Sequence, residues 1–287
     1  GYGSSNSSSS SISSNSLSSY YDASLSNGYV DLVFEGHTHQ SYTLYDTYNI
    51  YHMQAFGRNS ILIELCIFDL DGTTINSLAS IAHFANETLV NFGLAPFTVD
   101  EYRHLAGGGA RKLMTNLINA RGADLALLED MVNDWLGRYE KNAFYLTEPY
   151  EGITEMLSHL KTMGIKTAIV TNKSQRVASS IITGAFGKPG ELIDIAVSER
   201  PGMVLKPQPD ELLNIGRIYD IPMSNAMYIG DHGIDMQTGK NAGAFACGVT
   251  WGFHTREHLL QEGADFIADA PYQIIEIIKN INKENSK

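Results

Sequence analysis

Acidic, threonine and lysine side chains directly follow four short apolar segments of this sequence. Asp69 and Asp71 come after CIF, Thr171 after TAIV, Lys206 after MVL and Asp231 after MYIG. Carboxylate oxygens are ligands that Mg²⁺ prefers, a hydroxyl can donate to a phosphoryl oxygen, and an ammonium can stabilise an anion. The combination favours phosphoryl transfer in which an aspartate is the nucleophile.

The segments before these residues have the composition and length of buried strands. Amphipathic stretches of helical pattern separate them. Continuous apolar strands alternating with such helices predict a parallel sheet covered on both faces. Ligands bind at the carboxyl ends of the strands in sheets of this kind, so we expect the polar clusters to share one edge. The strand-length segments are CIF, TAIVT, DIAVS, AMYIG, AFACGVT and DFIAD.

The predicted fold is α/β, with a Rossmann-like parallel-sheet core and an inserted helical cap. Residues 64–79 and 148–287 form the predicted core, and the largely helical residues 80–147 form the predicted cap. Residues 1–28 are dominated by serine, which cannot bury enough apolar area to offset the entropy of ordering, so a flexible segment is expected. Residues 29–63 are rich in β-branched and aromatic residues and predict strands.

Each predicted site residue has a role in the expected chemistry. Asp69 attacks phosphorus, and Asp71 protonates the leaving oxygen and later activates water. Asp231 adds a third carboxylate for the metal, and Asp235 either holds a metal-bound water or orients Lys206. Taken alone, each motif has another interpretation: a solvated turn for DLD, or a helix cap for GDHGID. Their joint occurrence after separate strands favours one site.

The overall charge limits the partners that this chain can have. Its 287 residues carry a formal net charge of −12, which disfavours nucleic acid and anionic membranes as partners. No apolar run is long enough to span a bilayer. Both cysteines, Cys66 and Cys247, lie in apolar segments and are predicted to be buried and reduced, which is typical of a cytoplasmic protein. The expected partner is a small phosphorylated metabolite.

The motifs resemble those of the haloacid dehalogenase superfamily of phosphatases. The similar segments are DLDGT, the TN of AIVTNK, the K of LKPQPD, and GDHGID, and the likeness covers about residues 64–287. Within that superfamily, the chain is most similar to the phosphoglycolate phosphatase group. The resemblance implies Mg²⁺ and a small phosphomonoester. It makes Asp69 nucleophile and ligand, Asp71 acid/base and a ligand through its backbone carbonyl, and Asp231 the third ligand.

The segment LAGGGARKLM is similar to the glycine-rich cap loop of that group, which faces the substrate. Gly108, Arg111 and Lys112 are therefore predicted to bind substrate, together with Asn172 beside Thr171. The two cations could instead belong to a solvated helix face. The group often has an aspartate where Gly108 stands, and serine or threonine where His232 stands, so the substrate stays open.

The front segment resembles a different family. VDLVFEGHTHQ, followed by HMQAF, is similar to the last metal-binding motif of calcineurin-like metallophosphoesterases, in which His37 and His39 would be ligands. A two-metal site needs further ligands from upstream, and no such motif precedes this one. Residues 29–63 are therefore interpreted as a remnant of such a domain, and the two histidines could equally be ordinary turn residues.

The expected function is a Mg²⁺-dependent phosphomonoester hydrolase that forms an aspartyl-phosphate and is similar to phosphoglycolate phosphatases. A nucleotidase, a pyrophosphatase or a sugar-phosphate mutase on the same scaffold are alternatives. A non-catalytic fusion or scaffold protein is another, against which the complete set of Asp69, Asp71, Lys206 and Asp231 argues.

Overall fold

The computed structural model describes residues 24–26, 29–31 and 62–284. Strands β1 (Ser24–Ser26) and β2 (Tyr29–Asp31) form an antiparallel pair within one unit of the chain. The rest of the predicted serine-rich and metallophosphoesterase-like segments, with His37 and His39, lies outside the described residues. Residues 62–284 belong to a second unit, which is described by itself below.

A six-stranded sheet forms the centre of this second unit. Its order is β10-β9-β8-β3-β6-β7, and every neighbouring pair is parallel. The α/β fold and its six predicted strands are therefore confirmed. The eight strands of the unit are β3 (Leu65–Phe68), β4 (Ile75–Asn76), β5 (Glu148–Pro149), β6 (Lys166–Ser174), β7 (Ile195–Glu199), β8 (Ala226–Gly230), β9 (Phe245–Val249) and β10 (Phe266–Ala268).

Helices cover the sheet because each connection between parallel strands must cross one of its faces. Their apolar residues recur at helical spacing; for example, the last helix buries Ile274, Ile278 and Ile281. In chain order the helices are α1 (Leu78–Asn91), α2 (Tyr102–Leu105), α3 (Ala110–Ala120), α4 (Leu128–Lys141), α5 (Ile153–Thr162), α6 (Gln175–Phe186), α7 (Asp210–Tyr219), α8 (Gly233–Ala242), α9 (Arg256–Gln261) and α10 (Pro271–Glu284).

Helices α1 to α4 form a helical insert, residues 78–141, between β4 and β5. These two strands pair antiparallel, with Ile75 opposite Pro149 and Asn76 opposite Glu148. The chain therefore enters and leaves the insert through a two-stranded ribbon. The sequence predicted the helices but not this ribbon, because strands of two residues have no recognisable pattern. The boundaries of the cap as a separate domain stay a prediction.

The insert packs directly on the core. Within the insert, Tyr139 of α4 is fully buried and stacks on Phe84 of α1, with ring centroids 4.9 Å apart. The buried apolar cluster that contains both rings continues into the core, where it includes Val177 of α6. Arg176 of α6 donates to Glu140 of α4 at 2.6 Å, and Arg103 of α2 donates to the carbonyl oxygen of Gly252 at 2.9 Å. Apolar and polar contacts together hold the insert over the edge of the sheet.

Both cysteines lie in the core, as their apolar sequence segments predict. Cys66 and Cys247 are both buried and free of disulfides. Among the described residues, no helix combines the length and apolar character that crossing a membrane requires.

The central strand should dominate the stability of this unit. Ile67 of β3 is fully buried, whereas Ile218 of α7 is 65% exposed. Ile67→Ala should lower the free energy of unfolding by about 2–5 kcal/mol, because it removes buried methyl groups and leaves a cavity. Ile218→Ala should change it by less than about 0.5 kcal/mol. Urea denaturation of both variants measures the difference, and equal effects would contradict this packing.

Candidate active site

The carboxyl ends of three adjacent strands bring the predicted polar residues together. Asp69 follows β3, which lies between β6 and β8 in the sheet. Thr171 lies in the second half of β6, where the pairing of this strand with β7 shifts register, and Asp231 directly follows β8. Parallel register places these strand ends side by side, so the predicted convergence at one edge of the sheet is observed.

The turn after β3 fixes the first aspartate. The Leu70 carbonyl oxygen accepts from the backbone N–H groups of Thr74 and Ile75, at 3.0 and 2.9 Å. The Thr74 hydroxyl also donates to the Asp69 carbonyl oxygen at 3.1 Å. These bonds satisfy a buried turn, which would otherwise leave unpaired polar groups. Asp69 is thereby held at the end of the strand with only 9% of its surface exposed.

Three carboxylates share a small buried volume. Asp69, Asp231 and Asp235 each present an oxygen within 4.8 Å of the others. Burial raises the pKa of Asp69 to about 6, although Lys206 lowers it and Asp235 raises it further. Burial, followed by repulsion from Asp235 and Asp69, raises the pKa of Asp231 well above its usual value. The cluster therefore carries more negative charge than its protein partners neutralise.

Lys206 supplies the nearest positive charge. Its Nζ lies 2.8 Å from Asp235 Oδ1 and 2.9 Å from Asp69 Oδ1. Burial alone would lower the pKa of Lys206, but Asp235 and Asp69 together raise it well above its usual value, so the side chain is an ammonium. Asn172 positions it, because its Oδ1 accepts from the Lys206 backbone N–H at 3.0 Å and its Nδ2 donates to the Lys206 carbonyl at 3.3 Å.

Backbone and hydroxyl donors orient the other two carboxylates. Asp231 accepts from the Thr73 hydroxyl at 3.0 Å and from the Phe253 N–H at 2.7 Å. Asp235 accepts from the His232 N–H at 3.0 Å within a capping box at the start of α8. Such bonds fix the orientation of both carboxylates and stop them from turning away from one another.

Asp71 is held by a different set of partners. Lys173 Nζ lies 3.0 and 3.1 Å from its two carboxylate oxygens, and Ser77 donates to Oδ1 at 2.6 Å. Lys173 also donates to the Tyr139 hydroxyl of the insert at 3.1 Å. Burial would lower the pKa of Lys173, but Asp71 and Tyr139 raise it above its usual value. The carboxylate of Asp71 thus lies outside the three-carboxylate cluster, and the proposed metal contact through its backbone carbonyl stays a prediction.

A cavity of about 70 Å³ separates these carboxylates from the insert. The glycine-rich loop before α3 closes it tightly. A Cβ atom on Gly107 would lie 2.8 Å from His232 Nε2, and one on Gly109 would lie 2.8 Å from the Asn172 carbonyl oxygen. Both glycines also have positive φ, at 107° and 89°. Only glycine combines this backbone conformation with so close an approach to the core.

The predicted site residues divide into two groups. The larger group lines the cavity: Asp69, Asp71, Gly108, Thr171, Asn172, Lys206, Asp231 and Asp235. The second group is Arg111 and Lys112 of α3, which are not among the lining residues. Arg111 is ion-paired with Glu129, and its side chain is 65% exposed. The catalytic and binding roles assigned to both groups stay predictions.

Several residues near the site were not singled out from the sequence. Lys173 stands within the TNK segment, so its position was visible, but its partner Asp71 lies 102 residues earlier. Ser77 and Tyr139 have no local signal at all. His232 was noted only as a departure, and its contact with Gly107 depends on how the insert packs. These residues were missed because their contacts join segments that are far apart in the sequence, which local spacing does not reveal.

The residues present fit a divalent cation. The cluster of Asp69, Asp231 and Asp235 offers hard oxygen ligands of the kind that Mg²⁺ prefers. Asp69 Oδ1 is buried and accepts no hydrogen bond among the described residues, although Lys206 lies beside it. Lys206 is shared between Asp69 and Asp235, so Asp231 has no cationic partner among the described residues. A bound cation would supply the missing charge.

Comparison with known families assigns the chain. The profile of haloacid dehalogenase-like hydrolases matches residues 66–249, which contain the strands and carboxylates described above. The chain belongs to the haloacid dehalogenase-like hydrolases. The resemblance identified from the motifs is thereby confirmed for this part of the chain.

Relatives of this hydrolase act on phosphorylated compounds. It is 28% identical to the N-acetylmuramic acid 6-phosphate phosphatase of Pseudomonas aeruginosa, over 75% of this chain and 95% of that protein. It is also 28% identical to the phosphoglycolate phosphatase of Aquifex aeolicus, over 76% and 98%. A crystal structure of a predicted phosphoglycolate phosphatase from Haemophilus somnus has a TM-score of 0.69 over 75% of this chain and 97% of that chain. At 24% identity, this structural likeness shows a shared fold alone.

The crowded carboxylates predict how a cation affects stability. Folding raises the pKa values of Asp69 and Asp231. The folded protein therefore loses stability as pH rises and these carboxyl groups ionise; for Asp69 this loss falls between about pH 4 and about pH 6. At pH 7.5, Mg²⁺ at tenfold excess over its Kd should therefore raise the melting temperature by about 3–5 °C.

Asp231→Asn should melt above the wild type without Mg²⁺, because one repelling charge is removed, and it should lose most of the Mg²⁺ response. Asp124→Asn is the matched control, since Asp124 only caps a short exposed turn. Differential scanning calorimetry with and without Mg²⁺ measures both effects. An undiminished Mg²⁺ response in Asp231→Asn would contradict its assignment as a ligand.

Proposed function

We propose that residues 65–284 hydrolyse small phosphomonoesters in a Mg²⁺-dependent reaction that passes through a phosphorylated Asp69. A phosphatase activity agrees with the family and with the phosphatases among its relatives. The observation that carries the mechanism is the position of Asp69. It is a buried carboxylate beside the ammonium of Lys206 and opens on a cavity lined by three further aspartates.

The residues have separate tasks in the first step. An oxygen of Asp69 attacks phosphorus, the bond from phosphorus to the alcohol oxygen breaks, and that oxygen takes a proton from Asp71. Lys206 stabilises the negative charge of the phosphoryl oxygens, and the Thr171 hydroxyl donates to one of them. The N-terminus of α6, which begins at Gln175, offers backbone N–H groups to the same anion.

The second step releases phosphate. Asp71, now ionised, takes a proton from water, and the water oxygen attacks the phosphorus of the aspartyl-phosphate. The bond between phosphorus and Asp69 breaks, which restores the carboxylate. Lys173 and Ser77 hold the side chain of Asp71 in place in both steps.

Asp69, Asp231 and the backbone carbonyl of Asp71 would hold Mg²⁺, with Asp235 nearby. When bound, Mg²⁺ neutralises carboxylate charge and supplies Lewis-acid stabilisation of phosphoryl oxygens. Asp235 contributes in addition by fixing the ammonium of Lys206 at 2.8 Å.

The size of the cavity also bears on the alternative that this enzyme is a nucleotidase. A volume of about 70 Å³ with the insert in place is small for a nucleotide, which favours a small phosphorylated metabolite over a nucleotidase substrate. The proposed location in the cytoplasm rests on two buried, free cysteines.

Removal of the nucleophile should abolish turnover without unfolding the protein. Asp69→Asn keeps the side-chain shape, but an amide oxygen is a poor nucleophile, so kcat should fall by about three orders of magnitude or more. Asp124→Asn should keep wild-type activity. Phosphate release from p-nitrophenyl phosphate in Mg²⁺ measures turnover, and circular dichroism verifies the fold. A folded Asp69→Asn variant that retains wild-type turnover would refute the mechanism.

A further inference from the structure

The insert contributes only uncharged residues to the wall of the active-site cavity. Ile81, Leu113, Trp135 and Leu136 are its larger aliphatic and indole side chains there, and each is at most 8% exposed. The remaining lining residues of the insert are Tyr139 and the stretch 106–110, which consists of alanines and glycines. Every charged lining residue belongs to the core. The part of a substrate that extends toward the insert therefore meets an apolar surface.

The charges of the core are already balanced before a substrate enters. Four aspartates and two lysines line the cavity, which gives a formal net charge of −2 when all six are ionised, and a divalent cation brings that sum to zero; the proton that Asp71 donates in the first step adds one positive charge. Lys206 is paired with Asp69 and Asp235, and Lys173 with Asp71. A second anionic group on the substrate would therefore be buried without an unpaired cation among the lining residues, which is strongly unfavourable.

One donor on the apolar wall has no acceptor. The indole Nε1–H of Trp135 is buried and makes no hydrogen bond within the described part of the chain. Its ring packs edge-on against Tyr139, with centroids 5.5 Å apart, which limits how the indole can turn. Buried indole N–H groups usually find a partner. A neutral oxygen on a bound ligand would provide one.

From these three observations, and resting on the proposed phosphatase activity, we infer that the preferred substrate is a small phosphomonoester of an uncharged alcohol. That alcohol has an apolar body and a neutral acceptor that receives the Trp135 N–H. Arg111 and Lys112 do not line the cavity, so neither offers a carboxylate a partner there. The wall therefore selects against phosphoglycolate itself and for neutral analogues of similar size.

Matched substrates test this selection with the wild-type enzyme. Phosphoglycolate, the phosphate ester of glycolamide and propyl phosphate are of similar size, but they carry a carboxylate, a neutral amide and no acceptor. In Mg²⁺, kcat/KM for the amide should exceed that for phosphoglycolate by about tenfold or more, because a carboxylate would be buried unpaired. Equal or faster hydrolysis of phosphoglycolate would overturn the inference.

The indole is tested by the ratio of kcat/KM for the amide to that for propyl phosphate. Trp135→Phe keeps an aromatic ring but removes the donor, so the ratio should fall about 3–10-fold, the size of one hydrogen bond. Trp251→Phe is the matched control. It removes an indole whose N–H donates to the Thr73 carbonyl at 2.9 Å and does not line the cavity, so the ratio should hold.

A side chain with only a packing role would lower kcat/KM for both substrates alike. An unchanged ratio in Trp135→Phe would therefore contradict a hydrogen bond from the indole to the substrate. p-Nitrophenyl phosphate distinguishes failure of the substrate preference from failure of the phosphatase activity. If the enzyme hydrolyses it but prefers phosphoglycolate to the neutral esters, only the substrate inference is overturned. A folded protein that hydrolyses none of the four esters overturns the phosphatase function and the substrate inference with it.

Discussion

Repulsion among Asp69, Asp231 and Asp235 is the constraint on which the rest of this site depends. Three carboxylates lie within reach of one ion in a buried volume, and Lys206 is the one ammonium that pairs with any of them among the described residues. Such an arrangement is unfavourable for an isolated protein, as the raised pKa values of Asp69 and Asp231 indicate. The same imbalance favours the binding of a cation and, in the proposed reaction, of a phosphoryl group beside that cation. An acidic chain can in this way bind a dianionic substrate.

The fold holds the crowded carboxylates in place. Parallel strands deliver Asp69 and Asp231 to one edge, and backbone N–H groups hold Asp231 and Asp235. Lys173 connects this core to the insert, because it contacts both Asp71 and the Tyr139 hydroxyl. Through that contact, the position of the insert is coupled to the proposed acid/base. The insert adds an apolar wall without charge of its own to the cavity. In the proposed reaction, the chemistry therefore falls to the core and the choice of substrate to the insert.

The features predictable from sequence were those with a short-range signature. Apolar runs followed by polar residues located β3, β6 and β8, and hence Asp69, Thr171 and Asp231. The position of Asp71 just after β3 was visible in the sequence, but the pairing of its carboxylate with Lys173 was not. The resemblance of LAGGGARKLM to a substrate-facing cap loop predicted a binding role for Arg111, but could not show its partner Glu129. Contacts between distant segments, including Tyr139 with Lys173, depend on tertiary packing, which local pattern does not encode.

The stereochemistry at phosphorus tests the central claim most directly, since it reports the number of displacements. A phosphorothioate monoester made chiral at phosphorus with two oxygen isotopes is hydrolysed in water labelled with the third, and the configuration of the released chiral thiophosphate is determined by NMR. Attack by Asp69 followed by attack of water inverts phosphorus twice, so the account predicts net retention. Net inversion would mean that water attacks the substrate directly, and it would contradict the assignment of Asp69 as nucleophile.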